Sequence, residues 1–188
     1  VWGDDQDGVV LTDRELVEHA RLGDRGAFDS LVDRFGPRLH GYARRMVSDE
    51  CTVQEVVQDS FVAAWRGLDT FRHEGSVQTW LFAICSRKII DAYRKRSPIP
   101  IGDDILDLGG PSTLGLPLSA TTSDAFVDAL EKELSVLPPR QRAAWILREV
   151  EQMPFGDIGE VLGVASAAAR GHYARARTTL RGSMRSWQ

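Results

Sequence analysis

Apolar residues along this chain recur at roughly every third or fourth position, the spacing of helices buried on one face. Leu16, Val17 and Ala20 form the first stripe, closed by Gly23-Asp24. Ahead of it, Thr12-Asp13-Arg14-Glu15 reads as a capping box, with an acid three residues after a threonine. A second stripe from about Arg25 carries Phe28, Leu31, Val32 and Phe35. Gly36-Pro37 predicts a break, after which Leu39, Tyr42, Ala43, Met46 and Val47 resume the period. Ser48-Asp49-Glu50 is the next start signal, leading into Val53, Val56, Val57, Phe61 and Ala64. Gly75-Ser76 precedes a helix along which Trp80, Leu81, Ile84, Ile89 and Tyr93 fall. No alternating run predicts a strand.

The period disappears between Ser97 and Ser123, where Pro98, Pro100, Pro111, Pro117 and four glycines break any helix and no residue is basic. This predicts a flexible acidic linker, with enough isoleucine and leucine to dock part of itself on something. Asp124 then stands as a cap for a helix carrying Phe126, Val127, Leu130 and Leu134. Leu137-Pro138-Pro139-Arg140-Gln141-Arg142 opens another, with prolines where a first turn tolerates them and Ala144, Ile146, Leu147 and Val150 following. Pro154 to Val164 reads as a short helix stopped by Gly163, and Ser166 is placed to cap the helix after it. The expected fold is all-α: helical domains at 12–96 and 124–186 joined by the flexible linker 97–123. The second is a helix-turn-helix, the geometry that places side chains in a major groove.

Charge changes the picture only when divided by segment. The net charge of -4 over 188 residues argues against a nucleic-acid binder taken whole. Residues 80–96, however, carry Arg87, Lys88, Arg94, Lys95 and Arg96 against Asp91 alone. From 170 onward the ionised side chains are Arg170, Arg175, Arg177, Arg181 and Arg185, with no acid. A phosphate backbone responds to charge within a Debye length, so local stripes decide. Cys51 and Cys85 have no paired spacing and read as reduced thiols, and no metal or cofactor site is expected. No apolar run approaches a membrane span and no signal peptide is legible at the start, so a cytoplasmic protein without membrane insertion is expected. Residues 1–11 have no assignable role.

Gly41-Tyr42-Ala43-Arg44-Arg45, Val53 to Trp65, Phe71 to Ser76, Thr79 to Ile84 and Asp91 to Lys95 together resemble region two of the extracytoplasmic-function (ECF) sigma factors of the sigma-70 family. Leu137 to Leu180, with Leu-Pro-Pro-Arg-Gln-Arg and the closing Arg175-Ala176-Arg177, resembles their region four. The resemblance implies a bacterial transcription initiation factor rather than an enzyme. Such a factor binds core RNA polymerase, directs it to promoter DNA, assists opening, and is commonly held by an anti-sigma factor. No small-molecule substrate is implied.

The resemblance also assigns residues. Glu55, Gln58, Asp59, Phe61 and Trp65 would dock on the core polymerase. Arg72, His73, Ser76, Trp80, Arg87, Lys88, Arg94 and Lys95 would meet the minus-ten element, the first few at a pocket for a flipped base, although Trp80 also suits a core. Ser166, Arg170, His172, Tyr173, Arg175 and Arg177 would meet the minus-thirty-five element. Several positions depart from the family pattern. Arg87 replaces a usual asparagine and Ala83 a usual arginine, which shifts base preference, since arginine favours guanine and asparagine adenine. Ala168-Ala169-Arg170-Gly171-His172 replaces a common Thr-Val-Lys-Ser-Arg, and Gly159 replaces an alanine in a way read as benign for packing.

A regulator with a LuxR-like output helix would need alternating strands and helices before the linker, and none is legible. A diverged sigma-like protein that binds polymerase without reading promoters is the other alternative. Asp5-Gln6-Asp7-Gly8 lacks the first and closing ligands of a calcium loop.

Overall fold

The computed structural model describes residues 11–71, 75–96 and 125–184, and the regular structure among them is helical. The first half contains α1 (Asp13–Arg21), α2 (Arg25–Met46), α3 (Glu50–Arg66), one 3-10 turn (Leu68–Thr70) and α4 (Val77–Arg96). The second contains α5 (Ala125–Ser135), α6 (Pro139–Glu149), α7 (Phe155–Leu162) and α8 (Ser166–Met184). The linker 97–123, the Asp124 cap, and Arg72 and His73 lie outside the described residues.

Local signals start the four α-helices of the first half. Glu15 N donates to Thr12 Oγ1 at 3.4 Å while Thr12 N donates to Glu15 Oε2 at 2.7 Å, completing the capping box. Donation from the Thr12 N–H and the Thr12 hydroxyl holds the Glu15 carboxyl below its usual range. Asp24 caps α2, and Asp49 caps α3 by accepting from Thr52 N at 2.9 Å. Ser76 Oγ accepts from Thr79 N at 3.0 Å at the start of α4. α8 begins at Ser166 itself rather than after it.

The break expected at Gly36-Pro37 does not occur. α2 runs unbroken through Pro37 because Leu31, Phe35, Leu39, Tyr42 and Met46 form one continuous buried stripe across it. Each of these contributes about 1.5–3 kcal/mol by leaving water. Pro37 removes one main-chain bond, yet both it and Asp33, whose carbonyl it frees, are exposed, so that carbonyl is open to solvent. Burial outweighs the local breaker.

The two halves are packed together. α4 contacts α3 on one side and α7 on the other, which is why Leu81, Phe82, Ala83, Cys85 and Ser86 are all buried although they spread over more than half of the helix circumference. One apolar cluster runs from Leu16 in α1 to Ile158 in α7 and Ala169 in α8. A smaller one joins Leu134, Leu137, Ala176 and Leu180 within the second half. Arg142 spans the junction. Its Nη1 donates to Met46 O at 3.3 Å and its Nη2 to the carbonyls of Ser135 and, at 3.3 Å, Leu137.

Candidate nucleic-acid interface

The helix-turn-helix is assembled by α6, α7 and α8. α7 ends at Gly163, whose φ of 66° is left-handed and open to glycine at little cost. The turn then folds back so tightly that a Cβ on Gly159 would lie 2.7 Å from Val164 O. Gly159 is therefore a requirement of this turn, not merely benign for packing.

α8 divides cleanly into two faces. Ala169, His172, Ala176 and Leu180 are buried against the rest of the domain. Ser166, Ala168, Arg170, Ala174, Arg175, Arg177 and Arg181 are exposed, giving an outer face whose charge is all positive. Small residues between the arginines leave room for a backbone to approach. Arg170 lies over the Phe155 ring at 5.3 Å, as does Arg148 at 5.1 Å. Tyr173 is half-buried, 5.5 Å from the Phe155 ring, and its hydroxyl donates to Glu149 Oε1 at 2.5 Å, which pushes the phenol pKa upward.

His172 was expected among the DNA contacts, and the structure turns it inward at 5% exposure. It falls in phase with Ala169 and Ala176, so the helix period assigns it to the inner face. Its Nδ1 is 3.0 Å from Arg175 Nη2. A guanidinium only donates, so Nδ1 accepts, and the ring steers Arg175 from below.

The basic stripe of α4 lies along a cleft shared with α3. Lys88, Arg94 and Lys95 line one wall and Glu55 and Asp59 the other, around a volume of about 320 Å³. Lys88 Nζ is 3.7 Å from Asp59 Oδ2, a half-exposed pair of small energetic weight. Arg87, Arg94 and Lys95 are exposed. At the other end of α4, Ser76 is exposed, and Trp80 is half-buried with its ring 5.3 Å from Phe71.

On α3 the structure separates the residues grouped for polymerase docking. Glu55, Gln58 and Asp59 are exposed, whereas Phe61 is buried at 9% and packs edge-on to Phe28. Trp65 is 38% exposed above the same Phe28 ring at 4.9 Å. Val62, passed over in the sequence, is 41% exposed beside this edge. The signal was present: Val62 lies one helical turn after Gln58 and off the Val56–Phe61 stripe.

Residues 31–99 match the family model for sigma-70 region 2, and residues 128–180 match that for sigma-70 region 4. The ECF RNA polymerase sigma-E factor of Haemophilus influenzae is 31% identical over 178 residues, covering 89% of this chain and 92% of that protein. The chain belongs to the ECF sigma factors. A second ECF relative, SigW of Bacillus subtilis, is 24% identical over 92% of this chain and 96% of its own length. Among solved structures, CnrH in complex with the cytosolic domain of CnrY aligns with a TM-score of 0.70 at 30% identity, covering 93% of this chain and 97% of CnrH. The sigma factor RpoE of Bartonella quintana, solved with the anti-sigma factor NepR, shares the fold at 23% identity and TM-score 0.67 over 84% of this chain and 96% of its own. As an ECF sigma factor the protein binds core RNA polymerase and directs it to promoters. The region 2 match takes in α4 and its basic stripe, and the region 4 match takes in α8 as far as Leu180, with Arg170, Arg175 and Arg177.

Proposed function

We propose that this ECF sigma factor divides its work between residues 12–96 and 124–186, with 97–123 as the tether. The first domain docks on polymerase through Glu55, Gln58, Asp59 and Trp65, joined by Val62, while Phe61 holds that edge from beneath. It meets the minus-ten element with Arg87, Lys88, Arg94 and Lys95 on phosphates and bases. Arg72, His73, Ser76 and Trp80 form the base-capturing end, where an aromatic wall backs an unstacked base. The second domain reads the minus-thirty-five element through Ser166, Arg170, Arg175 and Arg177, with Tyr173 at the edge and His172 positioning Arg175.

One observation carries the reading: the outer face of α8 bears only arginine among charged groups, on the second helix of a helix-turn-helix. Structural neutrality would not need a face so one-sided. An anti-sigma partner is part of the proposal, supported by the RpoE–NepR complex and by the apolar Val62 and Trp65 left exposed on α3. A cytoplasmic site of action is supported by the lack, among the described residues, of any helix long and apolar enough to cross a membrane.

Run-off transcription of fragmented genomic DNA tests this, using core polymerase freed of other sigma factors. Discrete transcripts that share two upstream elements at fixed spacing are expected only when the protein is added. Polymerase binding without transcripts would transfer the assignment to a sigma-like interaction protein.

A further inference from the structure

Arg170 stands on α8 with no charged partner on its own helix to hold it. Its neighbours one turn away are Ser166, Ala167, Tyr173 and Ala174, and the run from Ser166 to Ala174 contains no carboxylate. Among the described residues no hydrogen bond or ion pair engages its guanidinium. An exposed arginine so placed samples many rotamers, and a DNA contact has to freeze one of them.

Support comes from another helix. Phe155, the first residue of α7, stays half-buried, and its ring lies 5.3 Å from the Arg170 guanidinium carbon. That is within the roughly 6 Å over which an aromatic face attracts a cation. The ring is itself located by its neighbours. Tyr173 meets it edge-on, with centroids 5.5 Å apart and planes at 61°, and the Tyr173 hydroxyl donates to Glu149 at the end of α6. Arg148 packs against the same ring at 5.1 Å, and its Nη1 donates to Met153 O at 2.8 Å. Arg148 is therefore anchored on the main chain, whereas the N–H groups of Arg170 are left for a ligand.

Magnitude separates two roles for this contact. At an exposed site a cation–π contact adds little to folding beside the buried Ile146, Leu147 and Ile158 of the same domain. It is, however, of the same order as the cost of immobilising one exposed arginine. A contact of that size shifts the rotamer population of Arg170 without deciding whether the domain folds, so its effect falls on binding.

We propose that Phe155 is a positioning residue of the DNA reader: its ring holds Arg170 in the orientation that meets a base edge, and Tyr173 with Glu149 locates the ring. The inference rests on the reading of α8 as the minus-thirty-five helix. Phe155 acts through Arg170 and needs no contact of its own with DNA.

The test is a double-mutant cycle on the full chain. The probe is a pool of short labelled duplexes of random sequence at low, fixed salt, with affinity read by fluorescence anisotropy and base preference by sequencing the bound fraction. R170A is expected to weaken binding and to flatten preference at the base pairs Arg170 meets. F155L is expected to weaken binding about threefold or more and to flatten the same base pairs. Combined with R170A, F155L should add nothing, because the side chain it positions is gone. Combined with R177A its effect should multiply in full, since Arg177 lies about two turns further along α8. F155Y keeps the ring and should stay within about twofold of wild type. A purely structural role would not give this pattern, because loosening α7 lowers binding equally with and without Arg170. F155L binding like wild type, or F155L losses that persist in the R170A background, fall on all base pairs alike or are matched by F155Y, overturn the proposal while the reading of α8 stands. Wild type that does not bind duplex, or R170A that binds and selects like wild type, removes that reading and the proposal with it.

Discussion

Arg142 offers a test of how a buried charge is held when no carboxylate holds it. The side chain is 4% exposed, and burial pulls its pKa below the ordinary value, though a guanidinium stays charged in a protein. Its acceptors are the main-chain carbonyls of Met46, Ser135 and Leu137, and its Nε has no partner. Methionine at this position keeps most of the apolar stem and relieves several kcal/mol of desolvation. The carbonyls, however, stay where they are. Met46 O retains the Tyr93 hydroxyl as a donor, but those of Ser135 and Leu137 lose this one. Bonds from a charged donor contribute about 1.5–3 kcal/mol each, and a stranded carbonyl costs about 1–3 kcal/mol. R142M should therefore lose about 2–4 kcal/mol net. R142K should lose at least as much, because one ammonium cannot span the end of α2 and the turn after α5 together. Urea denaturation followed by far-ultraviolet circular dichroism gives both values from the midpoints. If R142M came within about 0.5 kcal/mol of wild type, or were more stable, burial would outweigh the hydrogen bonds and the reasoning would fail.

Three further outcomes are expected. Burial pushes the Cys85 thiol up to about 12, while Cys51 is exposed, so a thiol reagent at neutral pH should label one cysteine in the native chain and both after denaturation. Two fast-reacting thiols in native protein would contradict the packing of α4. The Glu15 carboxyl is held below its usual 4.5, so its contribution to α1 is complete above that value and disappears as pH falls through the lower folded one. E15Q should flatten that acid limb, and an unchanged pH profile would mean that the capping box adds nothing. On α3, W65A should weaken core-polymerase binding by roughly tenfold or more with little change in stability. F61A should instead lower stability by about 3–5 kcal/mol, and equal effects of the two in both assays would remove the distinction between the exposed edge and its support.

Much of the architecture can be read from short-range chemistry. Thr12 and Glu15 are three residues apart, and so are Asp49 and Thr52; each pair closes its cap with little help from the rest of the chain. Gly163 ends α7 for a reason confined to its own backbone. The same locality misleads at Pro37, where the local signal is a break and a stripe running from Leu31 to Met46 overrides it. His172 is a case of phase: the family resemblance placed it with the arginines, whereas its position three residues beyond Ala169 places it inside.

The sequence by itself determined most of the helices, the caps at Thr12 and Asp49, the position of the helix-turn-helix and the segregation of positive charge onto α4 and α8. Each of these depends on residues a few positions apart, so the chain carries it in any arrangement. Only the tertiary structure decided which side of α4 is covered, where the Arg142 guanidinium finds its carbonyls, and that Arg38 meets Glu151. Met46 lies 96 residues from Arg142 and Arg38 lies 113 from Glu151, and charge and periodicity do not encode which of many compatible faces will meet. Packing selects among them, because a buried arginine or glutamate is tolerated only where its partners are already in place.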